Sequence, residues 1–119
     1  MSMDFNLKFG NCPIYYTISK IEGKWKWVIL YKLYKCKVIR YNRLWDELQP
    51  IAHRTLSKQL KELEADGLVH REQYNEVPPK VEYSLTEDGE TLTPILELMS
   101  EWGERHINPK QKESDHQDE

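Results

Sequence analysis

The chain has 119 residues, enough for one domain with a real core and too few for two comfortable ones. Hydrophobic residues make up 39% and charged residues 31%, and no apolar run approaches the roughly 20 residues of a membrane span. The N-terminus "MSMDFNLKFG" has neither the basic nor the apolar region of a secretory signal, and two cysteines suit a reducing cytoplasm better than a disulfide scaffold, so a cytoplasmic protein without membrane attachment is expected. The net charge of −3 argues against nucleic acid until its distribution is seen. From Lys20 to Lys61 there are 11 Lys/Arg against 3 Asp/Glu; from Glu62 to Glu119 there are 5 against 16. A basic block of that length attracts polyanions locally, because screening confines the rest of the charge to its own surroundings. On charge alone, two differently charged solvated faces explain the pattern equally well.

Residues 1–11 read as an N-terminal arm. Pro13, favoured at a first helical position, opens a helix with Ile14, Ile18 and Ile21 at i, i+4, i+7. After Gly23, "KWKWVILYKLYK" resumes as a second helix with Trp25, Val28, Ile29 and Leu33 on one face and Lys24, Lys26, Lys32 and Lys35 mostly off it. "CKVIRY" is short and β-branched, enough for a brief strand, and "NRLWDEL" gives two helical turns ended by Pro50. "HRTLSKQLKELEAD" follows, with Leu56, Leu60 and Leu63 inward and Gly67 at the C′ position. "LVHREQY" and "KVEYSL" form a hairpin around "NEVPP", the second alternating Val81, Tyr83 and Leu85 with Lys80, Glu82 and Ser84. Thr86 caps a last long helix carrying Leu92, Ile95, Leu96, Met99 and Trp102. Residues 109–119 lack apolar side chains and read as a disordered tail.

Helix, helix, short strand, helix, helix, hairpin, long helix is the order of an α+β winged helix-turn-helix. Residues 12–108 form that domain. On a wheel with Leu56 at zero, Leu60 and Leu63 fall at about 40° and −20°, whereas Arg54, Lys58 and Lys61 fall at about 160°, 200° and 140°. The first half of this second helix is the part that enters a major groove in helix-turn-helix docking. Arg54 is the best donor to a guanine edge; Thr55, Ser57 and Gln59 reach bases or phosphates; Lys58 and Lys61 suit phosphates, and His53 suits either. In the wing, Lys80 with Arg71 nearby would meet the backbone, although Glu72 and Glu76 limit its charge. An ordinary solvated helix accounts for the basic residues taken alone. The preceding short helix, the following hairpin and the upstream basic block together favour nucleic acid.

The run "CP" at Cys12-Pro13, "GKW" at Gly23 to Trp25, "RYNRL" at Arg40 to Leu44, "RTLSKQLKELEADGLVHR" at Arg54 to Arg71 and "YNEVPPKVEYSLTEDG" at Tyr74 to Gly89 resemble the HxlR-type regulators, bacterial winged-helix transcription factors related to the MarR group. The resemblance spans Cys12 to about Trp102. It implies a recognition helix at His53 to Asp66 and a homodimer built from the first and last helices, burying Ile14, Ile18, Leu92, Ile95, Leu96, Met99 and Trp102. It also implies a sensing role for Cys12, which matches a cysteine that several such regulators use against oxidants, electrophiles or aldehydes. The residues themselves place Cys12 at an N-cap, where helix N–H groups favour a thiolate, or make it a small cap with no such role. Members usually carry glycine at Cys36, phenylalanine at Tyr41, and glycine and serine where Pro50 and Ala52 flank Ile51. Ala52 cannot cap the recognition helix.

Cys36 reads as packing, with a pairing to Cys12 of a second subunit as the alternative. The four histidines have no metal-ligand spacing, and no cofactor loop or catalytic arrangement is placed by a motif, so no metal, cofactor or enzyme activity is expected. A thiol reductase built on Cys12 lacks a resolving CxxC partner and a base. Trp25, Trp27, Trp45 and Trp102 read as core and interface. The expectation is a homodimeric regulator, a repressor more readily than an activator, that binds a pseudo-palindromic DNA duplex and releases it when Cys12 is modified. The alternative is a winged helix serving only protein–protein interaction through its acidic half.

Overall fold

Leucine spacing sets the centre of the molecule: Leu56, Leu60 and Leu63 share one stripe of their helix and all three are buried. The structure, a computed structural model, describes residues 11–107. Its elements in chain order are α1 (Pro13–Ile21), α2 (Lys26–Cys36), β1 (Val38–Arg40), α3 (Tyr41–Glu47), α4 (His53–Ala65), β2 (Val69–Tyr74), β3 (Lys80–Leu85), α5 (Glu87–Glu90) and α6 (Thr93–Ile107). The arm, apart from Asn11, and the tail at residues 109–119 lie outside the described residues.

The α4 stripe packs into one core with Ile29, Leu30 and Leu33 of α2, Leu44 of α3, Ile51 of the turn, and Ile39 and Tyr83 of the sheet. The face of α2 differs from its sequence pattern. Leu30 is buried, whereas Val28 is turned outward and Trp25 is only partly covered. Lys26, expected off the apolar face, is buried at 8% exposure. Its aliphatic stem crosses the core edge and its ammonium reaches Glu62, a use of lysine that helix periodicity does not register.

The hairpin acquires a third strand. The antiparallel order is β1-β3-β2, with Ile39 and Arg71 flanking Tyr83 in register. Of the alternating positions on β3, Tyr83 is buried and Val81 and Leu85 are partly so. Helix α4 ends as Gly67 predicts. Gly67 has φ +78, its N–H donates to the Glu64 carbonyl at 3.0 Å, and the Leu68 N–H donates to the Leu63 carbonyl at 3.0 Å. Those two bonds form a Schellman motif, which turns the chain directly into β2.

Thr86 caps as expected, its Oγ1 accepting from the Gly89 N–H at 2.9 Å and donating to the Gly67 carbonyl at 2.6 Å. The long helix expected beyond it is broken into α5 and α6. Pro94 has no N–H for the Glu90 carbonyl, and the Thr93 hydroxyl takes that carbonyl instead at 2.9 Å. On α6 the apolar stripe divides. Leu96, expected at a dimer interface, is 3% exposed within its own chain and belongs to the core; Ile95, Met99 and Trp102 remain exposed and Leu92 is partly covered.

Candidate nucleic-acid interface

The N-terminus of α4 begins at Ala52, whose extended backbone starts the helix without a side-chain cap. From there the helix presents His53, Arg54, Lys58 and Lys61 to solvent, with Thr55, Ser57 and Gln59 half-buried between them. The acidic residues that follow are mostly engaged with the protein body. Glu62 Oε1 lies 2.8 Å from Lys26 Nζ, and Asp66 Oδ1 lies 3.9 Å from Lys20 Nζ. The Lys26 hydrogen bond holds the Glu62 carboxyl below the usual range. Among the described residues, Arg54, Lys58 and Lys61 form no ion pair, so their charge is directed outward.

Between α4, the β1–α3 junction and the wing lies an open cleft of about 550 Å³. Arg40, Lys61, Arg71 and Lys80 contribute cations to it, and Asn42 and Ser57 contribute hydrogen-bonding groups. Glu64, which sequence reading groups with the protein body, lines the same cleft and lowers its net charge. Lys80 is further compensated by Glu76 at 3.7 Å and Glu82 at 3.8 Å, with its ammonium 4.4 Å from the centroid of the Tyr74 ring. Arg71 Nη2 donates to Gln73 Oε1 at 3.0 Å. Burial pushes the Tyr83 hydroxyl up from its ordinary value, and a hydrogen bond from Arg71 opposes the shift. Arg40 and Asn42 are site residues that a helix-centred reading misses. The signal for Arg40 was the alternation in "VIR", which turns Arg40 out when Ile39 turns in.

The helix-turn-helix family description "HxlR-like helix-turn-helix" matches residues 20–111, spanning both helices of the motif and the wing. The chain belongs to the HxlR-like helix-turn-helix family. It is therefore a transcriptional regulator of the helix-turn-helix type. An HTH-type transcriptional regulator of Halalkalibacterium halodurans is 55% identical over 96 residues, which is 81% of this chain and 85% of the relative. Among solved structures, the redox regulator HypR in its oxidised form superposes with a TM-score of 0.75 at 50% identity, covering 80% of this chain and 97% of that one. The reduced form of HypR gives 0.75 at 49% identity, covering 86% and 98%. These likenesses also carry the winged-helix fold assignment.

Two other features of this HxlR-like chain bear on its use. Cys12 stands at the N-cap of α1 and is partly exposed, but its side chain makes no cap hydrogen bond; it and Cys36 are both free thiols. Cys36 packs against the core edge, as its neighbours suggested. The outward faces of α1 and α6 leave Ile14 at 71% and Trp102 at 59% exposure, which is costly for large apolar side chains on a lone subunit.

Proposed function

We propose that the chain binds duplex DNA sequence-specifically as a homodimer and acts as a repressor. The observation that carries this reading is the outer face of α4, where Arg54, Lys58 and Lys61 stand exposed and, among the described residues, outside any ion pair, while Glu62 and Asp66 are turned to lysines of the protein body. In this reading α4 lies in the major groove. Arg54 reads a guanine edge, Thr55, Ser57 and Gln59 reach bases or phosphates, Lys58 and Lys61 hold phosphates, and His53 takes an acceptor at the helix entry. Arg71 and Lys80 position the wing. A second subunit joined through α1 and α6 covers Ile14, Ile18, Ile95, Met99 and Trp102, with Leu92 at the margin, and places the second α4 about 34–36 Å away.

Cys12 serves as the sensor of a reactive electrophile or oxidant, its S–H adding across a double bond of the reagent, the N=N of diamide or the C=O of an aldehyde, so that sulfur bonds to one atom of the opened π bond and the thiol proton ends on the other. Its partly exposed place at the head of α1 supports this, since α1 belongs to the same proposed interface, and so does the likeness to a redox regulator. Selection of bound duplexes from a randomised library tests the reading, followed by titration at several salt concentrations. The expected result is an inverted-repeat site and a steep salt dependence. Sequence-blind binding, or none to random duplex at low salt, overturns it, the latter in favour of a protein-interaction module. Diamide or an aldehyde should release wild-type DNA complexes and leave Cys12→Ser complexes intact.

A further inference from the structure

The uncapped entry of α4 is held by aromatic side chains instead. The His53 ring lies on Trp45 with centroids 4.0 Å apart and planes 12° from parallel, and Trp45 Nε1 donates to the Ile51 carbonyl at 2.9 Å. The Tyr41 ring lies near the same imidazole, 5.7 Å away and 18° from parallel. Its hydroxyl is 3.0 Å from His53 Nδ1, 3.4 Å from the His53 carbonyl oxygen and 3.4 Å from Ser57 Oγ. A phenol has one proton to give. Of the three, the imidazole nitrogen of a neutral ring is both the nearest acceptor and the most basic, and the assignment that gives it the phenol proton leaves the phenol oxygen free to accept from Ser57. A neutral imidazole that accepts at Nδ1 carries its proton on Nε2. That nitrogen has no hydrogen-bond partner among the described residues, and His53 is exposed at the head of the helix.

We propose that Tyr41 is a positioning residue for DNA recognition, setting the tautomer and ring direction of His53 so that Nε2–H is offered to an acceptor on the duplex. The role rests on the DNA-binding reading above. A purine N7 and a phosphate oxygen share the chemistry that Nε2–H would meet.

Tyr41→Phe tests the role, because it keeps the ring in its stack and removes only the oxygen. In the free chain, ¹⁵N resonances of the neutral His53 imidazole should report a bare Nδ1 and a protonated Nε2. Tyr41→Phe should convert them to a tautomer mixture. On a duplex selected by the wild type, Tyr41→Phe should weaken binding about tenfold, the scale of one such hydrogen bond. His53→Ala should weaken it by a similar factor, and adding Tyr41→Phe to His53→Ala should change nothing more. Random duplex at low salt helps to tell the two acceptors apart: a loss confined to the selected duplex points to a purine N7, and an equal loss on random duplex points to a phosphate oxygen. Duplexes carrying single 7-deazaguanines or single methylphosphonates then separate the acceptors: the substitution that cancels the His53→Ala effect names the atom. Unchanged affinity in Tyr41→Phe, an equal loss in the His53→Ala background, or a wild-type proton on Nδ1 overturns the proposal. A wild type that selects no duplex overturns the DNA-binding reading and this role together, which a silent Tyr41→Phe in a sequence-specific protein does not.

Discussion

Lys26 Nζ stands 2.8 Å from Glu62 Oε1, tying the buried flank of α2 to α4. The lysine side chain is 10% exposed and the glutamate 42%, so the desolvated partner is the cation. Removing the carboxylate strands a buried ammonium. Glu62→Ala should lower stability by about 2 kcal/mol, and Glu62→Gln by less because its amide oxygen still accepts. The pair also has a pH signature. The Lys26 hydrogen bond lowers the Glu62 value from 4.5, so its stabilisation is complete above that value and is lost as pH falls through the lowered folded value. Urea midpoints of wild type and Glu62→Gln should differ at neutral pH and converge under strongly acidic conditions.

Two glycines make opposite demands on space. Gly67 holds φ +78 with nothing near its missing Cβ, so Gly67→Ala incurs only left-handed backbone strain, about 1 kcal/mol. Gly89 is buried in α5, and a Cβ there would run into the Leu68 carbonyl oxygen. That oxygen also accepts from the Thr86 N–H at 3.1 Å, so it cannot yield without loosening the cap region. Gly89→Ala should cost about 3 kcal/mol, at the upper end of overpacking effects. Thermal or urea unfolding of both variants checks the order.

The difference between these glycines marks what the sequence could and could not say. Gly67 was legible because a C′ glycine follows from local periodicity, and the Leu56, Leu60 and Leu63 stripe, the Thr86 cap and the hairpin follow likewise. Gly89 was not, because its constraint comes from a carbonyl twenty-one positions upstream. The same holds for Lys26, whose burial depends on Glu62, and for β1, whose partner is the far strand of the hairpin. At the site, the outward cations of α4 could be read from a wheel. The Trp45, His53 and Tyr41 contacts could not, since they join residues across the turn.

Ala52 leaves the first N–H groups of α4 without a side-chain acceptor. Ala52→Ser should supply one and raise stability by about 1 kcal/mol, read as a higher urea midpoint with an unchanged slope.

Lys61 and Lys80 both line the cleft, and among the described residues Lys80 is held in ion pairs with Glu76 and Glu82 whereas Lys61 forms none. Lys61→Ala should therefore reduce the salt slope of DNA binding by about one unit, and Lys80→Ala by clearly less. Glu76→Gln should tighten binding at low salt by relieving part of that compensation. Titrations of one duplex at a series of salt concentrations measure all three.

The apolar stripe of α6 is divided between the core and solvent-exposed positions. Leu96 is 3% exposed and packs within its own subunit, whereas Ile14 and Met99 are 71% and 43% exposed. Leu96→Ala should cost about 2–5 kcal/mol in folding through the cavity it leaves. Glutamate at exposed positions leaves the subunit core intact, so Ile14→Glu combined with Met99→Glu should retain the wild-type far-UV circular dichroism. In the proposed dimer both charges would be buried against apolar partners, and unpaired buried charge is severely unfavourable. Light scattering coupled to gel filtration should then report monomers for the double variant at concentrations where the wild type is dimeric. Because each half-site would be held by one subunit alone, the monomer should also lose affinity for an inverted repeat far more than for random duplex.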